Sequence, residues 1–319
     1  MSFAAPALNN SGFSTPSSVP SGRGRRQTQP GRGPWADGPL PLLETPSLTL
    51  DITHPVLHVA NEVCQGHNAA LRGLNAIFLQ APHVSAANDV ADLLFLTKSW
   101  AGWVLGQHVQ RQTRLFPQFE ETLGKPGSIT SLYTEELNFE PALHHLLDYS
   151  EHTHSRPAAY DSSNFLLLIK GVGNAFRAYV EAQTSILVDL QSLCGQSGSF
   201  EAETRSAKIL QLYLSSEADI KDHSDPFIVP PMTVRMRDTT YEGGNNWPGL
   251  SVLAVHAIAD KLSPAHAGAW RFLPCDVWGK PRGLPFLGQD AGKADGFQKV
   301  LPAVTPISGA STENLVYMR

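Results

Sequence analysis

Residues 55–81 read PVLHVANEVCQGHNAALRGLNAIFLQA. A helical turn of ~100° per residue places Ala60, Val63, Leu71, Leu74 and Phe78 on one face, with His67 at its centre. The same period continues to about Leu193. Four long segments follow one another at 55–81, 88–122, 129–151 and 160–194, separated by clusters of Pro, Gly, Ser and Asn. Long helices with short connections favour antiparallel neighbours, so the spacing predicts an all-α protein built on an up-and-down four-helix bundle over residues 51–195.

The flanks differ from this middle. Residues 1–50 carry Arg23, Arg25, Arg26 and Arg32, no acid before Asp37, and many Ser, Pro and Gly. Such a segment buries too little apolar area to offset its ordering entropy and is expected to be disordered. An acid-poor, Arg- and Ser-containing start also resembles a mitochondrial transit peptide, although its prolines and glycines spoil an amphipathic helix. Residues 196–319 begin with an amphipathic stretch near 201–222. They then turn Pro- and Gly-rich around the aromatic run WRFLPCDVWGKPRGLPF at 270–286. This extension is expected to pack on the bundle as irregular structure.

The whole chain has 319 residues, enough for a sizeable core. Its net charge of −5 becomes about −9 once the four N-terminal arginines are set aside, which argues against nucleic acid or an anionic membrane as partner. The three cysteines, Cys64, Cys194 and Cys275, form no CxxC pair and leave one unmatched. A disulfide framework is therefore not expected, and a reducing, cytoplasmic setting is. No apolar run reaches the ~20 residues of a membrane span. A small molecule is the expected partner, and the oligomeric state is not encoded legibly.

Each predicted helix carries polar residues on its apolar face. His67 does so on the first. His108 and Gln112 lie among Val90, Leu94, Ala101, Val104, Leu115 and Phe119 on the second, with Arg111 at the edge of the face. On the third, Glu136 falls between Leu132 and Phe139, with Glu140 at the flank. On the fourth, Tyr179 and Gln183 share a stripe with Val172, Phe176, Ile186, Leu187 and Leu190. Three of these sets are spaced i, i+4, which brings two side chains together. A single core histidine is ordinarily a satisfied structural residue. Seven polar residues converging from four helices point to a shared site, because each buried polar group costs roughly 1–3 kcal/mol unless partnered.

The segment HNAALRGLNAIFLQAP from His67 resembles the first helix of fungal hemerythrin-like (HHE cation-binding) proteins. The resemblance continues through QHVQRQTRLFP, FEPALHHLLDY and YVEAQTSILVDL, and the WRFLPCDVWGKPR run looks like the C-terminal extension of the same group; it spans about residues 55–290. It implies a four-helix bundle holding two irons. In that frame His67 takes the place of the first helix's histidine and His108 that of the second helix's. Gln112 then stands where the family has a bridging Glu, Glu136 and Glu140 where it has two histidines, and Tyr179 and Gln183 where it has a histidine and a carboxylate. These departures argue against an oxo-bridged di-iron centre.

Three readings of the site stay open. His67, His108, Gln112, Glu136, Glu140 and Gln183 can supply ligands to one divalent iron, manganese or zinc, for oxygen- or redox-linked chemistry in a tailoring step of fungal secondary metabolism. Alternatively the site is metal-free, with Glu136 or Glu140 as acid or base and Tyr179 beside it. In the third reading the residues form a structural network in a non-catalytic scaffold. Other signals are weaker. His144 and His145 turn outward, and the remaining His152 and His154 complete a solvated cluster. GVGNAF at Gly171 follows no strand and reads as close helix packing, and Cys275 has no base beside it. Pro141 is expected to kink the third helix beside Glu140.

Overall fold

The computed structural model describes residues 35–287. The basic start of the chain, with its disorder and transit-peptide readings, lies outside these residues up to position 34, as do residues 288–319. The described residues are helical, with no strand among them; an isolated bridge pairs Cys275 with Pro281. No helix among them is long and apolar enough to cross a membrane.

The helices are α1 (Pro55–Gln80), α2 (Ala87–Gln110), α3 (Phe116–Leu123), α4 (Glu140–His154), α5 (Ser162–Leu193), α6 (Phe200–His223), α7 (Val229–Met236), α8 (Val252–Ala257) and α9 (Ala267–Trp270). Helix α1 is the centre of the fold. It packs on α5, α6 and α2, while α4 packs on α2 and α5. Most of its residues are buried, so its apolar character extends around the helix rather than along one stripe. Leu71, Leu74 and Ile77 are all inaccessible, each contributing about 1.5–3 kcal/mol by burial.

The stretch from Trp35 to Leu50 is ordered, a correction to the reading of disorder up to residue 50. The reason lies on α1. Asn61, Asn68 and Asn75 recur every seven residues and therefore share one side of the helix. Asn75 accepts from the Leu40 amide at 3.0 Å and donates to the carbonyls of Ala36 and Leu40. Asn68 accepts from and donates to the Leu43 backbone, and Asn61 accepts from the Ser47 amide. These amides satisfy a stretch whose own secondary structure is limited to turns and the 3-10 helix Pro46–Leu48. Leu40 also needs Gly173 on α5, where a Cβ would lie 2.9 Å from its Cδ1. The second glycine of GVGNAF, Gly173, thus serves close packing, while Gly171 faces open space.

The third predicted helix starts later than its sequence period implies. Residues 129–139 form two short 3-10 turns, Thr130–Leu132 and Glu135–Leu137, and the α-helix begins at Glu140. Pro141 stands in the first turn, where its missing N–H is harmless, so it starts α4 instead of kinking it. Asn138 accepts from the Glu140 amide. The preceding loop is held by Glu120, whose carboxylate accepts from the amides of Gly127, Ile129 and Thr130.

Helices α2 and α3 are joined without a break by a π-turn, Arg111–Leu115, in which the Phe116 amide donates to the Arg111 carbonyl. Pro117 follows at once. It cannot donate to Thr113, and its ring would crowd that carbonyl in a regular α-helix, so the wider turn relieves both problems. Beyond α6 the chain folds back in short helices and irregular segments. Trp270, Phe272, Leu273 and Cys275 are buried there, and Gln80 of α1 donates to the Phe272 carbonyl at 2.7 Å.

Candidate functional site

Six of the seven polar residues singled out by helical period meet between α1, α2, α4 and α5. The exception is Glu136, which is exposed in the 3-10 turn before α4 because the helix that would have turned it inward begins four residues later. It has no part in the site. Five of the six, all but Gln112, form a continuous chain of hydrogen bonds. Glu140 Oε1 accepts from His108 Nε2 at 2.9 Å, and the opposite ring nitrogen, Nδ1, accepts from the Tyr179 hydroxyl at 2.9 Å. That hydroxyl in turn accepts from Gln183 Nε2 at 2.6 Å. Gln183 Oε1 accepts from His67 Nε2 at 2.8 Å and from Arg111 Nη1 at 3.2 Å. Gln112 stands beside Tyr133 and Tyr179, with its amide nitrogen buried and lacking a hydrogen-bond partner.

The electrostatics follow from depth and neighbours. Burial holds His67 well below the ordinary histidine range, and the adjacent Arg111 cation pushes the same way. Burial also lowers His108, against the opposing pull of Glu140. Both imidazoles are therefore neutral at physiological pH. Burial raises the Tyr179 phenol to about 12, so it keeps its proton, and Tyr133 is raised for the same reason. A carboxylate that orients a neutral imidazole, whose far nitrogen faces a protonated hydroxyl, is an arrangement able to relay a proton.

Two site residues escaped the sequence reading. Tyr133, in the loop before α4, accepts from Gln183 Nε2 at 3.2 Å. Arg111 was placed at the edge of its helix face, yet it is only 8% exposed. Its amide still bonds the Gln107 carbonyl, so its backbone follows the helical wheel, and the length of the side chain carries the guanidinium from the edge of the face to Gln183 and the cavity. A long arginine at the margin of an apolar face is the signal that could have found it.

The network forms one wall of a cavity of about 360 Å³. His67, His108, Arg111 and Tyr179 reach that cavity, and most of its remaining wall is apolar, including Trp103, Phe139, Phe176 and Trp247. Phe139 packs on both His108 and Tyr179, with ring centroids 5.1 and 4.7 Å away. Helix α6 and the start of α7 close the other side, bringing Tyr213, Glu217 and Val229 to the cavity. Glu62 of α1 lies there too. Burial raises both Glu62 and Glu217 above the ordinary carboxyl range.

The donor set does not fit a resident divalent metal. No group of three or more His, Cys, Asp or Glu residues able to hold a metal ion occurs among the described residues. Both nitrogens of His108 are engaged within the chain of hydrogen bonds, and the Arg111 guanidinium stands 3.3 Å from His67 Nε2. A fixed cation at that distance from the best candidate ligand atom opposes a second cation. The outward histidines do not add ligands: His144, His145 and His152 are exposed on α4, while His154 packs near Phe95.

No family model matches the chain, and no solved structure matches it. The dimeric xanthone biosynthesis cluster protein R11 of Cryptosporiopsis sp. (strain 8999) is similar to it, 26% identical over 257 residues that cover 79% of this chain and 93% of that protein.

Proposed function

We propose that this chain is a metal-free tailoring protein of fungal secondary metabolism that binds a flat aromatic molecule and moves a proton on it. The observation that carries this reading is the mostly apolar, aromatic-walled cavity ending on the His108–Tyr179 pair. Cavities of this kind, with a few convergent polar groups, are the usual form of a small-molecule site. Similarity to a protein of a xanthone biosynthesis cluster supports an aromatic ligand of fused-ring size. The four helices α1, α2, α4 and α5 pack in a manner compatible with a hemerythrin-like up-and-down bundle, and on that reading guanidinium and amide groups stand where such a bundle would hold its ions.

The chemistry is general acid–base transfer. Tyr179 takes a proton from a ligand hydroxyl as it passes its own to His108 Nδ1, and Glu140 steadies the imidazolium so formed. Glu140 is partly exposed, with 40% of its side chain accessible, which lets the relay exchange its proton with water. Walls of Phe139, Phe176 and Trp247 exclude water from the reacting end.

Trp103 and Trp247 line the cavity, so intrinsic fluorescence reports binding directly. Titration with xanthone is expected to quench it in a saturable manner. Val229→Trp, at the partly exposed start of α7, is expected to block the cavity and abolish saturation. A linear, unsaturable response up to the solubility limit, or wild-type binding by Val229→Trp, would sink the proposal.

A further inference from the structure

The proposal above leaves the ligand's functional group undefined, and Arg111 narrows it. Its guanidinium is buried, and its Nη atoms donate only to neutral acceptors: Gln183 Oε1 at 3.2 Å and Gln107 Oε1 at 3.1 Å. Its Nε is buried with no hydrogen-bond partner. No carboxylate among the described residues lies within ion-pair distance of it; the buried Arg237 also lacks one but donates to the Trp247 carbonyl and does not line the cavity. Glu217 feels the Arg111 charge across the cavity but makes no contact with it, so the guanidinium is buried without a contacting counter-ion and without full hydrogen bonding, which is destabilising.

We propose that Arg111 anchors an anionic oxygen borne by the aromatic ligand through the part of its guanidinium that reaches the cavity; this rests on the ligand reading given above. Geometry supports the location, since Arg111 lines the same cavity as His67, His108 and Tyr179. Glu217 and Glu62 also reach the cavity, and burial drives both toward their neutral forms, which limits how far they compensate the guanidinium themselves. Lys221 is exposed at the far end of α6 and faces solvent, so Arg111 is the cation set in the interior wall. Arginine suits the task because it stays charged when desolvated and its donors are fixed in one plane. The ligand class is then a fused aromatic ring carrying either a phenolate or a carboxylate, with the anionic oxygen on Arg111 and a second oxygen facing Tyr179.

Two matched pairs of probes separate the sources of the anion. Binding to the wild-type protein is measured for xanthone-2-carboxylate against its methyl ester, and for 3-hydroxyxanthone, above the pH at which its phenol ionises, against its methyl ether. Preference for the anionic member by about ten-fold or more in either pair is expected, the scale of one charge-assisted hydrogen bond. Preference in the first pair identifies a carboxylate, and in the second a phenolate. Arg111→Gln is expected to reduce the preferred pair's ratio to within about two-fold. Equal affinities within both wild-type pairs would overturn the anchor without needing a variant that folds, and so would a ratio that survives in Arg111→Gln. Failure of all four probes to bind would instead remove the ligand reading on which the anchor stands.

Discussion

Replacing Tyr179 by Phe removes a single oxygen from the centre of the hydrogen-bonded chain. In the folded protein that oxygen accepts from Gln183 Nε2 at 2.6 Å and donates to His108 Nδ1 at 2.9 Å. Tyr179 is 3% exposed, so water does not readily replace either bond. His108 Nδ1 would lose its partner, and Gln183 Nε2 would keep only the longer contact to Tyr133. A stranded buried polar group costs about 1–3 kcal/mol, and a net hydrogen bond contributes about 1 kcal/mol, so the loss should be on the order of 2–4 kcal/mol. The slightly more apolar ring recovers little, because Phe139 and Phe176 already surround it. Urea denaturation followed by far-ultraviolet circular dichroism measures the difference. Gln183→Leu and the double variant complete a cycle, and the two substitutions should couple by about 1 kcal/mol or more if the hydrogen bond between them is real. A Tyr179→Phe protein within about 0.5 kcal/mol of wild type, with additive effects in the cycle, would refute the network.

Further outcomes follow from the same geometry. His67 and His108 titrate lower in the folded chain than in the unfolded one, so their stabilisation is complete above about pH 6.5 and is lost as pH falls through their lowered values. His67→Gln should flatten that acid limb in a stability-versus-pH series; an unchanged slope would contradict the burial of a neutral imidazole. Glu217 has the opposite sign: its raised value favours folding below about pH 4.5, and that contribution is lost as pH rises. Glu217→Gln should therefore stabilise the protein at pH 8 more than at pH 4, as read by thermal melts. Asn75→Ala removes three hydrogen bonds to the 36–40 backbone, and limited proteolysis should then cut within residues 35–45 well before the helices. Glu136→Ala should change stability and xanthone binding negligibly, within about 0.5 kcal/mol by denaturation, because the side chain is exposed outside the site.

Period alone located much of this site because helices α1, α2 and α5 are regular where it matters. His67, His108, Tyr179 and Gln183 stand on the faces that a 100° wheel assigns to them, and hydrogen bonds join all four. The wheel fails where the backbone departs from it. At residues 129–139 the apolar spacing imitates a helix, but Glu120 and Asn138 satisfy the loop amides, so Glu136 never turns inward. At Arg111 the wheel gives the direction of the Cβ but not where a long side chain ends, so the guanidinium beside Gln183 was not legible. The strap at 35–50 was misread for a different reason. Its composition is that of a loop, and its order comes from three asparagines on another element, a long-range partnership that local composition cannot express. The family resemblance drawn from the sequence rests, beyond its first segment, on an apolar frame more than on ligands. Chemistry at the centre depends on which side chains replace the expected ligands and on how they bond to one another.

An aromatic ligand that the cavity holds without a metal binds equally well once metal has been stripped, and isothermal titration of xanthone into protein exhaustively dialysed against a chelator measures this. The account predicts one saturable site per chain, a negative heat-capacity change from apolar burial, and no gain on adding iron, manganese or zinc. Absence of binding heat in the chelated protein, restored when one of those metals is returned, would contradict it.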